Sequence, residues 1–536
     1  MAYSEFHTAE FDCEPDVFDT DGTALYEEGC NGLLRTIIKR NDMDKLKQYV
    51  LSSSRHFLSH PVDLTYDDVF WMAASYGSTD AFRFLLEQYN AVQADKTPLN
   101  QRGFSLLHAA CRTANVDVAR LFLDSQPPLG TISARDEEDE TPLLSAASSL
   151  LFLPVEGTDE IAERHERILH SEQLLNLLLD RGACAQDSRH PYPNSDIVET
   201  VLGMAVSRGS SALVKRLLDQ GADPYIKQHL FNDPPVMGAG QHYGLLQDAS
   251  VLHLAAIFWN TDAIKALIDH HPTSFPDLVS SRDSHGHLPL HYAAGRRCIE
   301  ECEFPDDEIS SRLVETFRFL LSANPSAINA RDEHGMTPLY HTINTHAYCV
   351  GSRHAELTVR VLLEHGADAA IPDSSGRTTL HLLAKSPEPI GTVLLDLLIA
   401  HGADANHADN DGNKPLHDMT MNLRQTQATS FLCSKGADIS ATNAHGDTAF
   451  HKAAGGNMTP QKSLKERKYK PLTPAVKISA QDEIMAVLQT AFGGDEMMNQ
   501  PNNAGKTPRD LQAETRSRWQ APRGASRGRG RGYTRG

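Results

Sequence analysis

The sequence predicts an all-α chain of about eleven stacked helix-turn-helix units with disordered termini. Three observations carry this reading. A short H-x-A-A-like core recurs along the chain, a glycine stands five residues before it, and tails of the form G-A-D close the following helix. Self-similarity at a fixed period of this size marks an architecture in which each unit buries its apolar faces on its neighbours.

The clearest copies lie in the second half. They are RDSHGHLPLHYAA from Arg282, RDEHGMTPLYHTI from Arg331, PDSSGRTTLHLLA from Pro372, ADNDGNKPLHDMT from Ala408 and TNAHGDTAFHKAA from Thr442. Gly286, Gly335, Gly376, Gly412 and Gly446 align, and each is followed by an anchor residue: His291, Tyr340, His381, His417 and His451. The register extends backwards through His253, Gly203, Leu144, His108, Trp71 and Arg35, and forwards to Asp510. Uninterrupted spacings are 34 to 37 residues. The tails DRGAC, DQGAD, EHGAD, AHGAD and SKGAD, which begin at Asp180, Asp219, Glu364, Ala400 and Ser434, repeat the same period.

Each piece of the repeat has a physical reading. Thr141-Pro142 and Thr337-Pro338 place a capping hydroxyl before a proline at the first helical position, where a missing N–H costs nothing. Paired alanines keep one face of the first helix thin. Leu217-Leu218, Leu362-Leu363 and Leu397-Leu398 form the apolar stripe of the second. The glycine of each G-A-D suits a left-handed helix cap, where a side chain costs about 1 kcal/mol or more.

These residues resemble the ankyrin repeat, T-P-L-H-x-A-A followed by V-x-x-L-L and G-A-D, over roughly residues 31 to 516. The irregular units and long inserts are similar to ankyrin proteins of filamentous fungi. The resemblance implies a solenoid whose concave groove of hairpin tips and inner helices binds a protein partner, with an anchor histidine that holds the turn. The tip residues it points to are Asp283, His285, Asp332, His334, Asp373, Asp409, Asp411, Asn443 and His445. Their acidic and histidine-rich character fits a basic partner. The same residues also read as plain turn formers, because Asp and Asn favour turns.

Domain organisation follows from the breaks in period. Residues 1–30 form an acidic arm without Lys or Arg, in which Phe6, Phe11 and Phe18 mix with acids. This is either an amphipathic activation segment or a solvated leader. The solenoid with inserts occupies 31–454, a basic insert 455–482, terminal ankyrin units 483–516 and an Arg-Gly-rich tail 517–536. Residues 150–172 are read as an insert with a helical part; 228–248, 296–311 and 341–357 are read as loops. KSLKERKYK supplies Lys462, Lys465, Arg467, Lys468 and Lys470, a candidate nuclear-localisation patch or a solvated basic loop. The tail carries Arg523, Arg527, Arg529, Arg531 and Arg535, each before a glycine. It resembles RNA-binding RGG segments, with Trp519 and Tyr533 available for stacking.

Composition bounds function. Hydrophobic residues make up 40% and charged residues 22%, and the formal net charge is −20, which disfavours nonspecific DNA binding by the bulk of the chain. Eight scattered cysteines form no framework, the N-terminus has no secretory pattern and no stretch is long enough to span a bilayer, so the expected location is nucleus, cytoplasm or both. His285, His287, His291, Cys298 and Cys302 lack the paired spacing of a zinc finger, and HADNDGNKPLHD from His407 has the wrong first and last residues for a calcium loop. No metal, cofactor or catalytic motif is assigned. The expected function is a regulatory adaptor, specifically a transcriptional co-regulator acting through a bound transcription factor. The alternatives are an RNA-associated protein that uses its tail, and a substrate adaptor for a protein-modifying enzyme.

Overall fold

The computed structural model describes residues 17–18, 24–25, 32–52, 69–76, 78–92, 103–126, 128–151, 161–190, 198–231, 245–295, 306–348, 353–458 and 472–521. The chain divides into two compact bodies. One comprises residues 1–236, 242–284 and 300–309, the other 237–241, 285–299 and 310–536. Among the described residues the α-helices fall into eleven successive pairs, one short additional helix, Phe275–Ser280, and a closing helix, Pro508–Gln520. The fold is the all-α repeat that the spacing predicts.

In the first body, helices such as Gly103–Arg112 and Val116–Asp124, or Val201–Ala205 and Ser211–Asp219, make one repeat. In two repeats the first helix is enclosed almost all round: every residue of Val201–Ala205 is buried, as is every residue from Pro142 to Leu150. Ala146, Ala147, Ala205, Ala255 and Ala256 are fully inaccessible, and their small side chains let neighbouring helices close on one another. The second helix buries a stripe, as Leu213, Val214, Leu217 and Leu218 do, at about 1.5–3 kcal/mol per large side chain. Phe82 and Phe122, from adjacent repeats, meet edge to face at 4.8 Å.

In the second body the pairs include Pro338–Tyr348 with Arg353–Glu364, Thr379–Leu383 with Thr392–Ala400, Pro415–Met421 with Thr426–Ser434, and Ala449–Gly455 with Pro474–Phe492. The expected caps form in both bodies. Thr141 Oγ1 accepts from the Leu144 amide at 3.3 Å, and Thr337 Oγ1 from the Tyr340 amide at 3.2 Å. Gly182, Gly221, Gly366, Gly402 and Gly436 close their helices at φ of +89°, +92°, +88°, +99° and +87°.

The inserts differ from their sequence reading. Residues 228–248 are not simply a loop: Gln228–Phe231 and Leu245–Ala249 form an antiparallel pair, with Gln228 opposite Ala249 and Leu230 opposite Leu246. The intervening Pro and Gly dominated the composition and hid two short strands. Helix Asp306–Ala323 begins inside the stretch 296–311, and residues 341–357 continue one helix to Tyr348 and open the next at Arg353. In the N-terminal arm Val17–Phe18 pairs antiparallel with Ala24–Leu25, so this part is not disordered. The last helix runs to Gln520, four residues into the assigned tail. Lys477 sits 5.5 Å over the Trp519 ring there, so Trp519 packs on its own fold. The rest of the arm, the patch from Lys462 to Lys470 and the arginines from Arg523 to Arg535 lie outside the described residues. Among the described residues no helix is long and apolar enough to cross a membrane.

Gly366 isolates the cost of the helix cap. A Cβ added there would meet nothing within 4 Å, so substitution strains only the backbone. Gly366→Val is expected to lose about 1 kcal/mol or more locally, read as faster amide exchange across residues 355–385. Unchanged protection in that window would contradict the assignment of the cap.

Candidate binding surface

The turn that opens each repeat is built by one side chain. Asp332 Oδ1 accepts from the amides of His334 and Met336, both at 2.8 Å. Asp373 Oδ1 accepts from Ser375 and Arg377, and Asp409 Oδ1 from Asp411 and Asn413. Asn443 and Asn502 do the same through an amide oxygen, to His445 and Asp447 and to Ala504 and Lys506. A short side chain reaching its own backbone two and four residues on is what Asp and Asn do best. The following glycine takes a positive φ, +75° at Gly335 and +74° at Gly412. At Gly335 and Gly376 an added Cβ would also come within 2.9 Å of the next turn's backbone.

Successive turns are bonded to one another. The Glu333 amide donates to His285 O at 3.0 Å, Ser374 to His334 O at 2.8 Å and Asn410 to Ser375 O at 3.0 Å. Ala444 donates to Asp411 O at 2.9 Å and Asn503 to His445 O at 3.0 Å. In every step the residue after the turn-forming Asp or Asn donates to the second residue after the preceding one. The tips of the second body thus form one continuous hydrogen-bonded row.

Anchor histidines fix each turn from beneath. Nδ1 of His291, His381, His417 and His451 accepts the backbone amide three residues earlier, at 3.0–3.1 Å. Their Nε2 atoms reach carbonyls of the next turn: Ala330, Asn413, Asp447 and Lys506, at 3.0–3.2 Å. This pattern requires the neutral tautomer with hydrogen on Nε2. Burial pushes all four histidines below their ordinary value. Their contribution to stability is therefore complete above about 6.5 and is lost as pH falls through the lower folded values.

These arrangements sort the tip residues expected to bind a partner. Asp283, Asp332, Asp373 and Asn443 are buried and Asp409 is half-buried. The expectation that the tip acids all face solvent is corrected at these positions, because the oxygen that draws attention in the sequence is spent on the turn. His334, Asp411 and His445 are exposed and His285 is half-exposed; Glu333, Ser374, Ser375 and Asn410 are exposed beside them. The repeat register marks this division, since the first turn position points inward and the next two outward.

The second oxygen of each turn carboxylate meets side chains at the repeat junction. Asp373 Oδ2 accepts from Tyr340 Oη at 2.7 Å and from Arg377 at 2.8 Å; against the upward push of burial, these bonds hold the carboxyl below its ordinary value. Asp332 Oδ2 lies 2.8 Å from His341 Nε2 and 3.3 Å from His287 Nε2, and these bonds likewise outweigh burial. Asp418, which the sequence reading passed over as a ligand, is pushed up to about 6 by burial and by Asp409.

A family model described as "Ankyrin repeats (3 copies)" matches residues 70–153 and 202–304. These two stretches are ankyrin repeats. A "putative ankyrin repeat-containing protein" of Treponema pallidum (strain Nichols) is 28% identical over 174 residues, 26% of this chain and 53% of that one, so the chain spans about half the length of this relative. The ankyrin repeat domain of Bcl-3, a member of the IkappaB family, is similar over 47% of this chain and 92% of that domain, at 25% identity and a TM-score of 0.31. Ankyrin repeats are protein–protein interaction scaffolds.

Substitutions at two positions test the energetics. Asp409→Ala removes an oxygen that accepts two amides and is expected to cost about 1–3 kcal/mol in denaturant unfolding, whereas Asp409→Asn, which copies Asn443, is expected to stay within about 0.5 kcal/mol. Equal losses would contradict the turn assignment. The raised folded value of Asp418 favours folding below the ordinary carboxylate range and loses that contribution as pH rises through about 6. Asp418→Asn is therefore expected to stabilise the protein at neutral pH by on the order of 1 kcal/mol, and by less in acid. A pH-independent effect would contradict it.

Proposed function

We propose that the chain is a non-catalytic regulatory adaptor that holds a basic protein partner along its row of turn tips. The observation that carries this is the hydrogen-bonded row from His285 to Asn503, which holds the exposed side chains in fixed order. Ordering them in advance lowers the entropic cost of binding. Exposed Glu333 and Asp411, together with the net charge of −20, favour a basic partner and fast, salt-sensitive association.

The finer reading is transcriptional co-regulation through a bound transcription factor. It is supported by the acidic arm, the basic patch around Lys465 to Lys470 and the absence of a recognised DNA-binding motif in the sequence. This reading puts the protein in the nucleus for at least part of its life. The RNA-associated reading is favoured by one specific feature, the five Arg-Gly dipeptides between Arg523 and Gly536. The helix Pro508–Gln520 places the correct truncation after Ala521, because Arg516 bonds Gln481 and Asp482 and belongs to the fold.

Three proteins decide between solenoid and tail: wild type, the double variant Glu333→Lys with Asp411→Lys, and a chain ending at Ala521. The expected result in affinity purification is that the truncated chain keeps the main protein partner and the double variant loses it, with helicity unchanged in both. Loss on truncation with retention by the double variant would overturn the adaptor reading in favour of the tail. For the finer reading, a fluorescent fusion is expected in the nucleus and to leave it when Lys465, Arg467, Lys468 and Lys470 become Ala. A wild-type fusion excluded from the nucleus would overturn the co-regulator reading.

A further inference from the structure

The repeat register brings equivalent positions near one another at several junctions of the second body: the residue after the turn glycine of one repeat, the turn-forming Asp or Asn of the next and, at two of them, the residue after that next repeat's anchor. Between the repeats with turns at Asp373 and Asp409 these are Arg377, Asp409 and Asp418, and Arg377 and Asp409 both act electrostatically on Asp418. At the following junction Asn443 Nδ2 donates to Asn413 Oδ1 at 2.8 Å, and at the last one Asn502 Nδ2 donates to Asp447 Oδ1 at 2.7 Å. The scaffold therefore brings the same register positions together at these junctions with different chemistry.

At the first of these junctions the three residues are His287, Asp332 and His341. Their ligand atoms lie within 4.8 Å of one another, and all three residues are buried. Among the described residues one other trio of metal-ligating groups converges as closely, Asp136, Glu138 and Glu140. That trio is already neutralised by Arg112, which bonds all three, and by Arg189, which pairs with Glu140. Among the described residues no Lys or Arg pairs with Asp332.

We propose that His287 Nε2, His341 Nε2 and Asp332 Oδ2 bind a zinc(II) ion. Two imidazoles and one carboxylate form a ligand set suited to zinc and unsuited to calcium or magnesium, which take oxygen ligands. Ligand atoms about 2.0–2.2 Å from a tetrahedral zinc stand about 3.3 Å apart. The His287–Asp332 separation is already 3.3 Å, and the His341–Asp332 separation of 2.8 Å needs to open by about half an ångström. The carboxylate is aimed by its other oxygen, which is held by the amides of His334 and Met336, the outer support that metal-binding carboxylates use. His291 lies beside the trio, its ring 5.8 Å from His287 and 5.4 Å from His341. Both its nitrogens serve the fold, through the Leu288 amide and the Ala330 carbonyl, so it is not a ligand. Three protein ligands leave a fourth position for water or for a partner's side chain.

The competing arrangement is a metal-free network in which both imidazoles hydrogen-bond the carboxylate, and one experiment separates the two. Asp332→Asn keeps the turn, because Asn443 and Asn502 form the same turn through an amide oxygen, and it removes the anionic ligand. The full chain, stripped with chelator, is dialysed against zinc sulfate and its metal content and affinity are measured beside Asp332→Asn and His287→Gln. The expected result is that each variant holds one zinc fewer than wild type, or holds it at least tenfold more weakly, with unchanged helical circular dichroism. In the wild-type protein, zinc is also expected to slow amide exchange across residues 283–292 and 331–345, a measurement that stands even if a variant fails to fold. Equal zinc content and affinity in folded variants, or exchange in those segments that zinc does not alter, would overturn the proposal and leave the hydrogen-bonded network.

Discussion

The whole repeat depends on one short-range interaction, in which a turn residue's side-chain oxygen accepts two backbone amides of its own turn. A turn of this tightness leaves partly buried amides facing inward, and a donor left unpaired on burial costs about 1–3 kcal/mol. Asp332, Asp373, Asp409, Asn443 and Asn502 each satisfy two of them. Once the turn is closed, the next residue's amide points at the preceding turn and the row of tips forms without further instruction. The anchor histidine then ties the turn below to the helix above it, so tip, helix start and neighbouring repeat are fixed together.

This explains which parts of the molecule can be read from the sequence. Positions under a backbone constraint are legible, because few residue types satisfy it. The glycines at +φ, the Thr-Pro helix starts and the anchor histidines all stand where the register puts them. The binding surface is only half legible for the same reason. Asp332 and Asp411 look alike as tip acids, yet one is buried in its turn and the other is exposed, and the difference is their place relative to the glycine. The pairing of Gln228–Phe231 with Leu245–Ala249 was not legible, since two strands of a few residues separated by Pro and Gly carry no periodicity that distinguishes them from a loop.

The junction pockets show what a local reading misses altogether. His287 and His341 are far apart in sequence, and neither belongs to the repeat signature. They meet on Asp332 because consecutive repeats superimpose the position after one glycine on the position after the next anchor. Linear proximity groups His287 with His285, His291, Cys298 and Cys302, the two cysteines lying outside the described residues, and leaves out both His341 and the acid that draws the two imidazoles together. In a repeat protein the informative spacing for a site is one repeat length plus a small offset, and scanning at that spacing finds this trio and the Arg377–Asp418 pair alike.

The central claim is that the tips form one bonded row rather than independent loops. Its most direct test is residue-resolved amide hydrogen exchange at Ser374, Asn410, Ala444 and Asn503, whose side chains are exposed while their amides donate to the preceding tip. The account predicts protection at these four amides comparable to that of the helix interiors beneath them. Exchange at the rate of free loop amides would contradict it.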